Sequence, residues 1–418
     1  MNRIVRLTFT LWLLLVLAAC APALTPAAVP SVAALPTALS QSTPVPPTPV
    51  PAAQSGGVFF ARPQGETGPL IAYDMATGAI RFSLPAGRLS ADSQHYLAAR
   101  AGAGTQLLGY DLTTGAERLI GQLTGQWELS SVSATGRWAA LTRVPTESEK
   151  QAWSTANAWK TGVQVVDTNT GQIAHQLELD GNFVVDTLSA QGDSLFVIQY
   201  LPAVKPDHYQ VRLFDLTTGT LQDGALVDKR DSAEVMAGQR WQAVATSDGS
   251  WLYTLYLRTS KNTAFIHALN TVNKFAMCFD LPTVTGSTQD QLKAYSIALA
   301  PNGQTIYAAN PALGVVAKVD VSSFEVTSAA SFAADLATLP ASASGNYSVA
   351  DEHGLYFTGG KQIWAFDMTT RQVKSLSTVD NFISGLALGR DGRQLLVARV
   401  DQPPVMLDTT SGAAFSSQ

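Results

Sequence analysis

Apolar positions in this chain come in short alternating or continuous runs, never at sustained helical spacing. From Gly56 onward, stretches such as "SLFVIQYL" (194–201) and "SWLYTLYL" (250–257) are bounded by breaks rich in Gly, Asp, Asn and Ser. Runs of that length between turn residues predict β-strands. These two are apolar on both faces, as expected of a strand buried between two layers. Others, "AERLIGQL" (116–123), "QIAHQLEL" (172–179) and "RQVKSLS" (371–377), alternate and carry charge. Charge suits a strand at a sheet edge, where it discourages pairing with another chain. No amphipathic helix of useful length is predicted.

The breaks themselves repeat. An Asp-turn recurs as "YDMATG" (73–78), "YDLTTG" (110–115), "VDTNTG" (166–171) and "FDLTTG" (214–219). Degenerate copies follow at "LNTVNK" (269–274), "VDVSSF" (319–324), "FDMTTR" (366–371) and "LDTTSG" (407–412). Between them lies a second signature, as in "VSATGRWAALT" (132–142), "ATSDGSWLYTL" (245–255) and "LGRDGRQLLVA" (388–398). The period is about 48 residues, in the range of solenoids and propellers. In each turn the Asp carboxylate accepts backbone N–H bonds, and Gly supplies the positive φ that closes a hairpin. Each period then holds four strands, A to D. In the fifth they are "WQAVATS", "SWLYTLYL", "AFIHALN" and "FAMCFDL". The fold class predicted is all-β, a β-propeller of four-stranded antiparallel blades. Eight Asp-turns give eight blades. Only seven A strands are found, because "GGVFFARP" (56–63) starts at strand B, so seven blades with extra strands is the alternative.

These repeats resemble the YVTN-type members of the WD40-like propeller superfamily. The stretch "LAPNGQTIYAAN…VVAKVDVSSFEV" (299–326) carries that family's Pro-Asx-Gly turn, Tyr-Ala strand and Val-Asp strand. The resemblance covers nearly all of 56–418 and implies architecture rather than one function, since the family includes enzymes, adhesins and scaffolds. Asp-x-x-Thr-Gly also occurs in quinoprotein-type propellers, including lipid-anchored outer-membrane assembly factors. That motif continues with a Trp where this chain has Phe82 and Ile120, which argues against a quinone cofactor.

The first twenty residues, "MNRIVRLTFTLWLLLVLAAC", place two arginines before an apolar run from Leu7 to Ala19. At 1.5 Å per residue this run cannot cross a hydrocarbon core about 30 Å thick, but it suits a signal peptide. Its ending, Leu17 to Cys20, resembles a bacterial lipobox, which implies acylation of Cys20 and an extracytoplasmic, membrane-anchored lipoprotein. Residues 21–55 hold nine prolines and no charge. They cannot form a packed core and read as an extended tether reaching at most about 110 Å. The domains expected are therefore a signal peptide (1–20), a Pro/Ala/Thr-rich linker (21–55) and a propeller (56–418).

Charge narrows the partners. Without Arg3 and Arg6 the chain keeps 25 basic against 32 acidic side chains, a net charge of −7. With no Lys/Arg run, nucleic acid is excluded as a partner. With Cys20 lipidated, Cys278 has no partner for a disulfide, and its apolar setting "KFAMCFDL" predicts an inert thiol. No metal-ligand spacing, phosphate loop, nucleophile elbow or HExxH is present, so no catalytic residue, cofactor or metal is assigned.

The repeated Asp74, Asp111, Asp167, Asp215, Asp320, Asp367 and Asp408 serve the blades. Trp127, Phe183, Trp241, Tyr295 and Phe382, near the A-strand starts, are expected to pack around the channel mouth. Function is sought where the repeat is broken. Insertions lengthen the B–C connections at 144–162 and 201–211, and the D–A connections at 228–240 and 282–294. All four are expected to crowd one face over blades three to six, and loops on a rigid scaffold are where binding concentrates. The candidate binding residues are Trp153, Trp159, His208, Tyr209, Arg230 and Arg240. The expected function is a non-catalytic, lipid-anchored binding or scaffold module, monomeric, whose partner is a protein, glycan or small molecule. The alternative is a propeller enzyme, quinoprotein-like or lactonase-like, acting at the central channel.

Overall fold

The computed structural model describes residues 57–62, 68–74, 77–156, 158–228, 236–258, 261–323, 325–333, 346–389 and 392–415. All fall within one compact unit, Thr43–Gln418. The leader, Cys20, the Pro-rich linker and Arg230 lie outside the described residues.

Eight antiparallel sheets follow one another along the chain, and none borrows a strand from another. They are the blades of an eight-bladed β-propeller. Blades two to seven have four strands each. In blade five these are Gln239–Ala245, Trp251–Arg258, Thr263–Asn270 and Phe275–Asp280. Blade one has three, Val58–Ala61, Leu70–Asp74 and Ile80–Leu84, in the B, C and D positions. Blade eight also has three, Ile383–Leu388, Gln394–Arg399 and Gln402–Asp408, in the A, B and C positions. A D strand begins there with the Leu407–Ala414 bridge.

Apolar clusters fill every seam between neighbouring blades. Trp241, Tyr253 and Leu255 of blade five pack against Tyr295, Ile297 and Val319 of blade six. The ring closes in the same manner, with Phe59, Ala61 and Tyr73 of blade one against Ala387, Leu396 and Ala398 of blade eight. Each fully buried large apolar side chain contributes about 1.5–3 kcal/mol, so packing across seams, not shared strands, holds the ring.

The Asp-turns explain their own repetition. Asp111 Oδ1 accepts bonds from Thr113 N (2.8 Å), Thr114 N (2.7 Å) and Thr114 Oγ1 (3.0 Å). The next residue, Gly115, has φ +75. Asp215, Asp367 and Asp408 bind their turns in the same way. The glycine also meets the neighbouring blade. A Cβ on Gly171 would lie 2.1 Å from Ile120 O, and one on Gly412 would lie 2.0 Å from Leu376 O. In blade seven Arg371 takes this place at φ 57 and bonds Ser328 O and Ala329 O of blade six. In blades three, seven and eight the C–D turn thus rests on the D strand of the blade before it.

The two signatures occur together because they touch. Leu216 N donates to Asp193 O (2.9 Å) and Thr271 N to Ser250 O (2.9 Å), joining the C–D turn to the A–B turn of the same blade. Thr168 Oγ1 and Thr409 Oγ1 add side-chain bonds to Gly136 O and Gly392 O. These turns share the lower face, so the B–C and D–A connections emerge on the upper face.

Two features differ from the sequence expectation. The insertion in blade three folds as a helix, α1 (Glu147–Ala156), and the D–A connection after blade five carries a short helix, α2 (Gln289–Leu292). In blade four, strand B runs to Leu201 and strand C starts at His208, so His208 and Tyr209 are strand residues and only 202–207 connects them. Tyr209 pairs with Tyr200 in register, which carries the ladder into the segment expected as an insertion, 201–211. Likewise Arg240 belongs to strand A of blade five, not to a connection. No helix among the described residues is long and apolar enough to cross a membrane.

Candidate functional site

The upper face of blade three carries the most irregular connection. Thr146 and Glu149 form a reciprocal cap at the start of α1: Glu149 N donates to Thr146 Oγ1 (3.3 Å), and Thr146 N donates to Glu149 Oε2 (2.8 Å). Arg143 donates to Glu149 Oε1 (2.7 Å), and that bond leads the contacts holding the Glu149 carboxyl down at about 2. The same guanidinium lies 5.5 Å from the Trp153 ring, which meets Trp159 edge-on at 5.5 Å. Trp159 O accepts Gly181 N, tying the stack to the connection into blade four. No residue of α1 is buried, and both tryptophans are half-buried. The helix therefore stands on an Arg–Trp–Trp stack instead of sinking into the blade.

The other predicted residues part company. His208 stays half-exposed on the upper face, with Nδ1 2.5 Å from Asp207 Oδ1. Tyr209 turns inward, is 2% exposed, and stacks on Tyr256 at 5.1 Å. Arg240 points into the seam between blades four and five, where its Nη2 lies 3.6 Å from Asp186 Oδ1. Trp153 and Trp159 are brought together; Tyr209 and Arg240 face the seam; Arg230 lies outside the described residues.

Asp186 is absent from the sequence-derived set. It sits in strand A of blade four (Asn182–Leu188) at a bulge between Val185 and Thr187, and its side chain is only 1% exposed. Neither carboxylate oxygen receives a hydrogen bond. Burial pushes its pKa up, and Arg240 opposes the shift only in part. A signal was available: the corresponding bulges of blades three and eight hold Ser130 and Ser384, so the repeat itself does not require a charge there. Of the aromatics near the A-strand starts, Trp127, Phe183, Trp241 and Tyr295 are buried, and Phe382 is partly exposed.

A cleft of about 300 Å³ opens on blade two between His95, Tyr110, Asp111, Glu117 and Arg118. Its acids are already committed. Asp111 holds its own turn, and Glu117 pairs with Arg100 and Tyr110. Among the described residues, no three His, Cys, Asp or Glu side chains are grouped to hold a metal ion.

No protein-family model matches the chain, and no curated protein does either. Solved structures do. The dihydro-heme d1 dehydrogenase NirN, in complex with DHE, matches at 14% identity with a TM-score of 0.53, over 89% of this chain and 77% of that one. Sqt1 of Saccharomyces cerevisiae matches at 9% identity with a TM-score of 0.50, over 84% and 92%. The Dos1 propeller matches at 10% identity and 0.48, over 85% and 87%. At such identities these likenesses concern the fold alone.

Proposed function

We propose that this β-propeller is an exported, lipid-anchored binding module, without catalytic activity, whose partner docks on the upper face over blades three to six. The observation that carries the proposal is α1, a helix with no buried residue, held above blade three by Arg143, Trp153 and Trp159. A surface helix whose one large apolar residue is only half-buried gains little from packing, since most helical stability in proteins comes from a buried face. Half-buried tryptophans are frequent interface anchors. The lipobox-like ending at Cys20 and the uncharged Pro-rich stretch after it support a membrane tether.

Two measurements test this. Full-length protein is expressed in bacteria with a photo-crosslinking residue at Thr155 on α1 or at Thr217 in a lower-face turn. A discrete adduct should form from Thr155 and not from Thr217; equal or absent adducts would remove α1 as the docking element. Metabolic labelling with a fatty-acid analogue should mark the wild type, and Cys20→Ser should lose the label and leave the membrane fraction. A label that survives Cys20→Ser would refute the anchor.

A second reading, an enzyme acting at the channel, draws on one observation. Asp186 is a buried carboxylate with a raised pKa beside Arg240, on an inner strand where the repeat needs no charge, and perturbed acids concentrate at functional sites. A small molecule that co-purifies with the wild type and is lost from Asp186→Asn would put this reading ahead.

A further inference from the structure

The seam between blades four and five concentrates buried polar atoms that lack partners. Asp186 Oδ1 and Oδ2, Thr254 Oγ1 and His267 Nε2 are buried there without a hydrogen-bond partner among the protein atoms, and the Tyr209 and Tyr256 hydroxyls are buried with only each other as partner. Thr254 and His267 are directly opposite on strands B and C of blade five, and Tyr256 stacks between Tyr209 and Phe265. Among the described residues, blades six and seven contain no such atom; there the Ser296 and Ser348 hydroxyls bond one another at 2.6 Å.

The backbone on both sides of this seam is also interrupted. Strand A of blade four is bulged at Asp186, and strand A of blade five is bulged between Arg240 and Gln242. A bulge leaves a residue outside the ladder and loosens it locally. An unbonded buried polar atom favours any state in which water reaches it, because its desolvation goes uncompensated. Here several such atoms line one interface, so a single opening hydrates them together.

We infer that blades four and five part transiently, making this seam the breathing joint of the ring. The titratable groups respond to the same dehydration. Burial raises the pKa of Asp186, Tyr209 and Tyr256 and lowers that of His267 to about 4. The joint lies beneath the B–C connection of blade four, on the half of the ring that carries the irregular connections.

Hydrogen–deuterium exchange read by mass spectrometry on the full-length protein in detergent tests the inference. Amides of Asn182–Leu188 and Gln239–Ala245 should exchange about tenfold or more faster than those of Ser296–Leu299 and Ser348–Ala350. Thr254→Val and the double variant Tyr209→Phe/Tyr256→Phe each delete buried, poorly partnered hydroxyls at nearly constant shape. Each should slow exchange at the four–five seam by about five- to tenfold and leave the six–seven seam unchanged. Equal protection of the two seams would overturn the inference, as would variants that fold and leave the seam's exchange unmoved. If one variant does not fold, the other decides.

Discussion

A glycine in an Asp-turn answers to two constraints, and they can be separated. Gly171 and Gly219 both adopt positive φ, +72 and +71. A Cβ at Gly219 would meet nothing within 4 Å, whereas one at Gly171 would lie 2.1 Å from Ile120 O. Gly219→Ala therefore carries only the left-handed backbone cost, about 1–2 kcal/mol. Gly171→Ala adds a clash with the neighbouring blade and should lose about 2–4 kcal/mol. Denaturant unfolding of the pair measures the difference; equal losses would mean that the turns do not bear on the adjacent D strands. The first constraint was legible in the sequence, because Asp-x-x-Thr-Gly announces its turn. The second was not, because it depends on which blade stands next door. Asp186 was passed over for a related reason: one Asp between Val185 and Thr187 looks ordinary until the strands are aligned blade against blade.

Strands were the most legible elements, since their apolar runs and turn residues agree at every repeat. The missing A strand of blade one was also visible, as "GGVFFARP" begins with a B-type run. The helix α1 was not. Its residues, "ESEKQAWSTA", are polar apart from alanines and Trp153, so no apolar stripe marks a helix. Its signal is the cap, Thr146 followed three residues later by Glu149, a pair that a polar loop can also contain. The start of strand C in blade four was missed because Tyr209 is buried through stacking on Tyr256, a partner on another blade. Side chains whose burial is decided across a seam leave little trace in their own segment.

The same turn repeated around the ring sets how the whole molecule meets acid. Hydrogen bonds from turn groups lower the pKa of Asp111, Asp215, Asp367 and Asp408, and with Ser322 as the leading donor they bring Asp320 from 3.8 to about 2. A carboxylate whose folded pKa lies below its unfolded value stabilises the fold above the unfolded value. That stabilisation fades as pH falls through the folded one. The thermal midpoint should therefore fall in two stages, first from about pH 6.5 toward about 4 as the unfolded state takes up the proton that buried His267 refuses, then from about pH 4 toward about pH 2 as the turn carboxylates are protonated. Asp320→Asn should melt below the wild type at neutral pH, with the gap closing near about pH 2; a gap constant across that range would contradict the assignment.

Closure without a shared strand has a temporal consequence. Among the described residues every named strand pairs with a neighbour in sequence, and one Asp228–Ala276 bridge links the exit of blade four to strand D of blade five, so each sheet is complete as soon as its own stretch of chain is available. A polypeptide emerging N-terminus first can fold blade by blade, with little loop entropy lost at each step. Among the described residues, the seam of Phe59, Ala61 and Tyr73 with Ala387, Leu396 and Ala398 must wait for the far end of the chain. Ring closure is then a late docking event between finished surfaces, and an interrupted chain leaves a curved stack of formed blades rather than a tangle with an unmatched strand.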